Sequence, residues 1–220
     1  MTWPPAVKVC GLMRPEDAAV ASAAGAAYLG VILAPGGKRT VTAARANVIL
    51  GGIPARRVGV FVDAGENELL ADAREAGLHV LQLHGDEPPE LADRMRAAGY
   101  EVWKAVRARG ADDFSRAARR YAGAVDALLL DGYSPAAHGG TGTRFPWAEV
   151  AERLGELPPG MRLVAAGGLT PRNVAEAAAI LRPHAVDVSS GVEASPGVKD
   201  PDAVRAFVEQ VQSLSFKQVR

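Results

Sequence analysis

Short apolar runs alternate with amphipathic segments along the whole chain, and this alternation constrains the fold more than any other feature. The runs are AVKVCG (6–11), AYLGVIL (27–33), RVGVFV (57–62), HVLQLHG (79–85), EVWKAVR (101–107), ALLLDG (127–132), RLVAAGG (162–168) and AVDVSSG (185–191). They are rich in Val and Leu and too short for ordinary helices, so they read as strands. The segments between them carry helix punctuation. PEDAAVASAAG places Pro15 at a first helical position, puts acids in the first turn and stops at Gly25. NELLADAREAG and PELADRMRAAG stop at Gly77 and Gly99. TPRNVAEAAAILRP offers Thr170 as N-cap with Pro171 behind it, and DPDAVRAFVEQVQSL repeats the device with Asp200 and Pro201.

Eight such units recur at a period of roughly 25–30 residues, the sequence form of a closed (β/α)8 barrel. A doubly wound open sheet is the alternative. The regular count of eight, and the absence of GxGxxG after the first strand, favour the barrel. No linker or low-complexity stretch interrupts the pattern, so residues 1–220 are expected to form one α/β domain, a TIM barrel with parallel strands.

Composition narrows the function classes. With 48% hydrophobic residues, 220 residues can bury a core. Lys and Arg number 25 and so do Asp and Glu, which leaves no electrostatic footprint for nucleic acid or a membrane surface. No apolar run approaches the roughly 18–20 residues that span a bilayer. MTWPPAVK lacks the basic and apolar regions of a signal peptide. A single cysteine excludes an internal disulfide and points to a reducing compartment. A cytoplasmic protein is expected, with no nucleic-acid or membrane partner.

In a barrel of this kind, chemistry gathers at the C-terminal ends of the strands, where Cys10, His84, Asp131 and Ser189 all fall. Strand residues two apart share a face, which groups Lys8 with Cys10, Gln82 with His84, and Asp187 with Ser189. If these positions point inward, the interior holds Lys8, Asp131, Asp187 and, with less to decide its direction, Lys104; buried charges of both signs then compensate one another. Three glycine clusters, HGGTG (138–142), AAGGLT (165–170) and DVSSGVE (187–193), follow the last three strands. Glycine lets backbone N–H groups approach an anion closely, and barrels of this kind often seat a phosphate in the loops after strands seven and eight, helped by a short extra helix. GVEASPG offers such a helix start at Gly191.

The polar set limits the reaction. The four histidines are scattered without ligand spacing, so no metal is expected. A serine nucleophile elbow is missing, and Lys8 and Lys104 lack an obvious Schiff-base partner set. A thiol and a carboxyl at one barrel mouth, beside a phosphate seat, suit a cofactor-free isomerase that moves a proton on a sugar phosphate. Lys8 is a candidate for lowering the pKa of Cys10. From pattern alone Cys10 stays open between this role and simple packing.

The residues then become specific. VKVCG, APGGKRTV, GVFVD, LQLHGDE, WKAV, LLLD…GGTGTRFPW, AAGGLTPRNV and VDVSSGVEASPGVKD occur in this order and together resemble the phosphoribosylanthranilate isomerase family, over Val7 to about Val208. The resemblance implies an Amadori rearrangement in tryptophan biosynthesis. N-(5'-phosphoribosyl)anthranilate becomes 1-(2-carboxyphenylamino)-1-deoxyribulose 5-phosphate, with no cofactor. By resemblance Cys10 matches the general base at C2 of the ribose, and Asp131 the general acid at the ring oxygen. A carboxyl beside leucines has its pKa pushed up, as an acid requires. Arg39 matches the arginine that meets the anthranilate carboxylate. Gly140, Gly142, Gly168, Ser189 and Gly191 match the phosphate loops, and His84 and Asp187 serve orientation and charge compensation. GVIL stands where the family's pattern carries aromatic residues, and Gly37 where it carries a serine. The phosphorylated small molecule is the expected partner, and the chain itself a monomer or homodimer.

Three alternatives stand beside this one. Another sugar-phosphate enzyme on the same barrel would need a metal set or a lysine on the sixth strand, where Asp131 stands. A barrel that only binds a phosphorylated ligand has no use for both Cys10 and Asp131. An isomerase that also accepts the histidine-pathway aminoaldose would carry an acid where Cys10 is.

Overall fold

The apolar runs pair side by side, in parallel, until the last meets the first. The computed structural model describes residues 4–132 and 147–214. Its strands β1 (Ala6–Val9), β2 (Tyr28–Ile32), β3 (Arg56–Phe61), β4 (Val80–Leu83), β5 (Glu101–Ala108), β6 (Ala127–Gly132), β7 (Arg162–Ala166) and β8 (Ala185–Val188) form one closed barrel in chain order. Lys8 sits opposite Asp187 where β1 closes onto β8. The helices between strands are α1 (Pro15–Ala24), α2 (Ala43–Leu50), α3 (Glu66–Ala76), α4 (Pro89–Ala97), α5 (Ala111–Arg120), α6 (Trp147–Ala151) and α7 (Val174–Leu181), with α8 (Pro201–Gln212) after the last. A small antiparallel pair, β9 (Glu193–Ser195) with β10 (Val198–Lys199), precedes α8. This is the (β/α)8 architecture.

The strands are apolar on both faces because both faces are covered. One face fills the barrel interior with Tyr28, Val58, Val80, Trp103, Ala105, Ala127, Leu129, Val164, Ala166 and Ala185. The alternate residues, among them Val7, Val9, Leu29, Val31, Leu81, Leu128 and Leu130, pack beneath the helices. The punctuation works as its chemistry requires. Gly25 and Gly77 end α1 and α3 in the left-handed region, at φ 106° and 62°. Asp200 accepts from the amides of Asp202 and Ala203 at 2.9 and 3.2 Å and so caps α8.

Three expectations need correction. Thr170 caps a turn ahead of α7 rather than α7 itself, which begins at Val174: its Oγ1 accepts from the Arg172 amide at 3.2 Å and its carbonyl from the Val174 amide at 3.1 Å. Asn173 reciprocates: its Oδ1 accepts from the Thr170 amide at 2.8 Å, its Nδ2 donates to the Gly168 carbonyl at 3.0 Å, and residues 170–173 are held as a turn. No helix starts at Gly191. A single 3-10 turn, Ser190–Val192, runs straight into β9. Lys104 lies outside the barrel interior, because Trp103 and Ala105 take the inward positions of β5. Its ammonium instead caps the end of β4, donating to the carbonyls of Leu83, Gly85 and Ala105 and to Glu87 at 3.1 Å.

Candidate active site

The inward positions at the C-terminal ends of the strands converge on a cavity of about 350 Å³. Cys10 from β1, Gln82 and His84 from β4, Leu129 and Asp131 from β6, and Asp187 and Ser189 from β8 all line it. Ile32, Ala34, Val60 and Val62 make an apolar wall on the side of β2 and β3. Gly167, Gly168, Leu169, Ser190 and Gly191 make a backbone-rich wall where the loops after β7 and β8 meet. Since β7 and β8 stand between β6 and β1 in the ring, this glycine wall lies between the ends of the strands that carry Asp131 and Cys10.

The charges sort into local sets. Lys8, wholly buried, donates to Asp187 Oδ2 at 2.8 Å. Asp187 and Cys10 outweigh the effect of burial and hold the Lys8 ammonium above its ordinary pKa. Burial pushes the Cys10 thiol up, and the Lys8 charge pulls it back part of the way. Across the mouth, Gln82 Nε2 lies 3.0 Å from His84 Nδ1, and His84 Nε2 lies 3.3 Å from Asp131 Oδ2. The side chain of Asp131 is one-third exposed rather than enclosed by leucines. Of the three leucines before it, Leu128 and Leu130 face the helices and only Leu129 faces the cavity.

Among the described residues, three buried polar atoms here have no partner: Gln82 Oε1, Asp187 Oδ1 and Ser189 Oγ. All belong to residues that line the cavity. A buried polar atom without a hydrogen bond is costly, and three of them around one cavity are what a polyhydroxylated ligand would satisfy.

Arg39 is placed in a way its sequence position does not reveal. Its Nε and Nη2 fork onto Glu193 at 2.7 and 2.6 Å, and Lys199 donates to the same carboxylate at 2.9 Å. Burial raises the pKa of Glu193, but the bonds from Arg39 and Lys199 overcome it and bring it to about 2. The stem of Arg39 lies over Gly11, where an added Cβ would meet Arg39 Cδ at 2.7 Å. The Arg39–Glu193–Lys199 set therefore ties the loop after β2 to the segment after β8, beside Cys10. Glu193 and Lys199 were not among the expected site residues. Their one signal is an acid inside VDVSSGVE, with no sequence-local clue that its partner is 154 residues away. Gly140 and Gly142 lie outside the described residues. Among the described residues no group of His, Cys, Asp and Glu could hold a metal, and no helix is long and apolar enough to cross a membrane.

The family model described as N-(5'phosphoribosyl)anthranilate (PRA) isomerase matches residues 7–210. An N-(5'-phosphoribosyl)anthranilate isomerase of Chromohalobacter salexigens is 44% identical over 207 residues, 93% of each chain. The crystal structure of phosphoribosyl anthranilate isomerase from Thermus thermophilus matches with a TM-score of 0.81 at 41% identity, covering 96% of this chain and 100% of that one. A phosphoribosyl anthranilate isomerase in complex with reduced 1-(o-carboxyphenylamino)-1-deoxyribulose 5-phosphate matches with a TM-score of 0.82 at 35% identity, with the same coverage.

Proposed function

This chain belongs to the N-(5'-phosphoribosyl)anthranilate isomerase family, and from that premise we propose how its barrel mouth works. It is an isomerase that converts N-(5'-phosphoribosyl)anthranilate to 1-(2-carboxyphenylamino)-1-deoxyribulose 5-phosphate in tryptophan biosynthesis. The substrate phosphate sits on the glycine wall, where Ser189 Oγ waits unpaired and the backbones of Gly168 and Gly191 come close. Gly140 and Gly142 belong to the same seat by resemblance. The ribose then lies between Cys10 and Asp131, and the aromatic ring against the apolar wall of Ile32, Val60 and Val62. Arg39, held by Glu193 through Nε and Nη2, keeps Nη1 for the anthranilate carboxylate.

Asp131 protonates the furanose ring oxygen. The C1–O bond breaks, the anthranilate nitrogen lends its pair, and an iminium forms at C1. Cys10 as thiolate takes the proton from C2, and the electrons of that bond move toward nitrogen to give the enolamine. Protonation at C1, with loss of the C2 hydroxyl proton, yields the ketone. This is acid–base chemistry by two groups of opposed protonation state.

His84 and Gln82 set the proton on Asp131. With the Gln82 N–H at Nδ1, His84 carries its proton on Nε2 and faces an ionised Asp131. With the Gln82 carbonyl at Nδ1, the proton sits there, and Nε2 accepts the O–H of the acid form. The unpaired Gln82 Oε1 is the atom that the second state uses. The protein acts in the cytoplasm as one domain, and its only partner in this reading is the phosphorylated small molecule.

The observation that carries the reading is the cavity itself: a thiol and a carboxyl at two strand ends, with an unpaired hydroxyl and glycine backbone between. The test is conversion by the purified chain. Phosphoribosylanthranilate generated in place should lose its anthranilate-type fluorescence and give a product of unchanged mass bearing a ketone. Saturable binding of the reduced product without any conversion would favour a barrel that only binds.

A further inference from the structure

We infer that the Lys8 ammonium is the counter-ion of the Cys10 thiolate, and that Gly30 lacks a side chain because sulfur and lysine stem fill its place. The inference deepens the reading of Cys10 as base and rests on it.

Lys8 and Cys10 stand two apart on β1 and share its inward face. Gly30 stands on the neighbouring strand, where Lys8 pairs with Tyr28 and Val9 with Leu29. A Cβ at Gly30 would fall 2.9 Å from Cys10 Sγ and 3.1 Å from Lys8 Cε. The sulfur and the last carbon of the lysine stem therefore lie around one point. Gly30 does not have the positive φ that calls for glycine, so space rather than backbone conformation accounts for it.

A thiolate in this position is buried, and a buried anion needs a paired cation. Among the described residues, the charged groups around Cys10 are few. Arg39 and Lys199 are both engaged by Glu193, and Lys199 also donates to the Ser189 carbonyl at 3.1 Å. Asp187, on β8, opposes the thiolate. Lys8 is left, with three N–H donors and one carboxylate oxygen as acceptor. Asp187 has a double effect: it keeps Lys8 charged and restrains how far Lys8 can ionise the thiol. Lys8 stays an ammonium throughout the cycle, and only Cys10 takes up and returns a proton.

Cys10 is the only cysteine in the chain, so the thiolate ultraviolet absorbance of wild type minus Cys10→Ser reports one group. This difference is titrated in full-length wild type, Lys8→Met, Lys8→Arg, Asp187→Asn and Lys8→Met/Asp187→Asn. The double variant leaves neither charge buried alone. The thiol midpoint should rise by a unit or more in Lys8→Met, roughly a tenfold loss of thiolate at fixed pH. It should fall in Asp187→Asn, stand well above the Asp187→Asn midpoint in the double variant, and return toward wild type in Lys8→Arg. The rising limb of kcat/KM against pH should move with it. A folded double variant with the same midpoint as Asp187→Asn overturns the inference. Loss of turnover in Cys10→Ser with an unmoved midpoint removes the counter-ion and keeps the base. Turnover retained in Cys10→Ser removes the base and the role of the counter-ion with it.

Discussion

Replacing Gly191 by alanine should separate the two loops that make the phosphate seat. The added Cβ would fall 1.9 Å from the Leu169 carbonyl oxygen, 3.0 Å from its carbon and 3.2 Å from Thr170 Cγ2. Real Cβ atoms essentially never approach closer than 3.0 Å, so the loops after β7 and β8 must part by more than an ångström. Leu169 is buried and its carbonyl is backbone, so no flexible side-chain end can swing aside. Overpacking of this kind costs about 1–3 kcal/mol of stability, and a misplacement near 1 Å at a binding site costs about 10²-fold in kcat/KM. The phosphate is remote from the bonds that change, so the loss should fall mainly on KM. Steady-state turnover with a thermal melt measures both. Gly160→Ala is the control: its φ is 86° and its Cβ would meet nothing within 4 Å. That change stores about 1 kcal/mol of backbone strain without touching the cavity. Gly191→Ala with a KM like that of Gly160→Ala would refute a phosphate seat between these loops.

Gln82→Met should lower kcat by about tenfold or more with little change in KM, because it removes only the partner that sets the proton on His84; an unchanged kcat would separate Gln82 from the acid. Lys104→Met should cost about 3–5 kcal/mol, seen as a lower urea midpoint, because Glu87 stays buried without its cation. Burial and neighbouring arginines hold His79 and His184 below their ordinary pKa. Above the unfolded value of about 6.5 both are neutral in either state, while below it the unfolded chain takes up protons that the folded chain refuses. Urea midpoints should therefore fall as pH drops below that value, and His184→Gln should reduce the fall.

Much of this was legible in the residues because a barrel repeats one unit. The period placed every strand of the barrel, and Pro15, Gly25, Gly77, Asp200 and Pro201 act locally, with caps that need no tertiary partner. Cys10, His84, Asp131, Asp187 and Ser189 reach one cavity because each ends a strand on its inward face. Lys104 misled because EVWKAV is apolar on both faces, and nothing in such a run says which alternate set points inward. Thr170 holds a turn ahead of α7 and not the helix itself, because Asn173 ties that turn back to Thr170 and Gly168 before the helix begins. The bond from Arg39 to Glu193 joins the second unit to the last, and only closure of the barrel brings them together.

The central claim is that Cys10 and Asp131 divide the proton transfers between them. Turnover of phosphoribosylanthranilate by wild type, Cys10→Ser and Asp131→Asn tests it most directly. Each single change should lower kcat by about 10²–10⁴-fold, with both proteins still melting cooperatively and still binding the reduced product. Near-normal kcat in either folded variant would contradict the account and move that proton to another group.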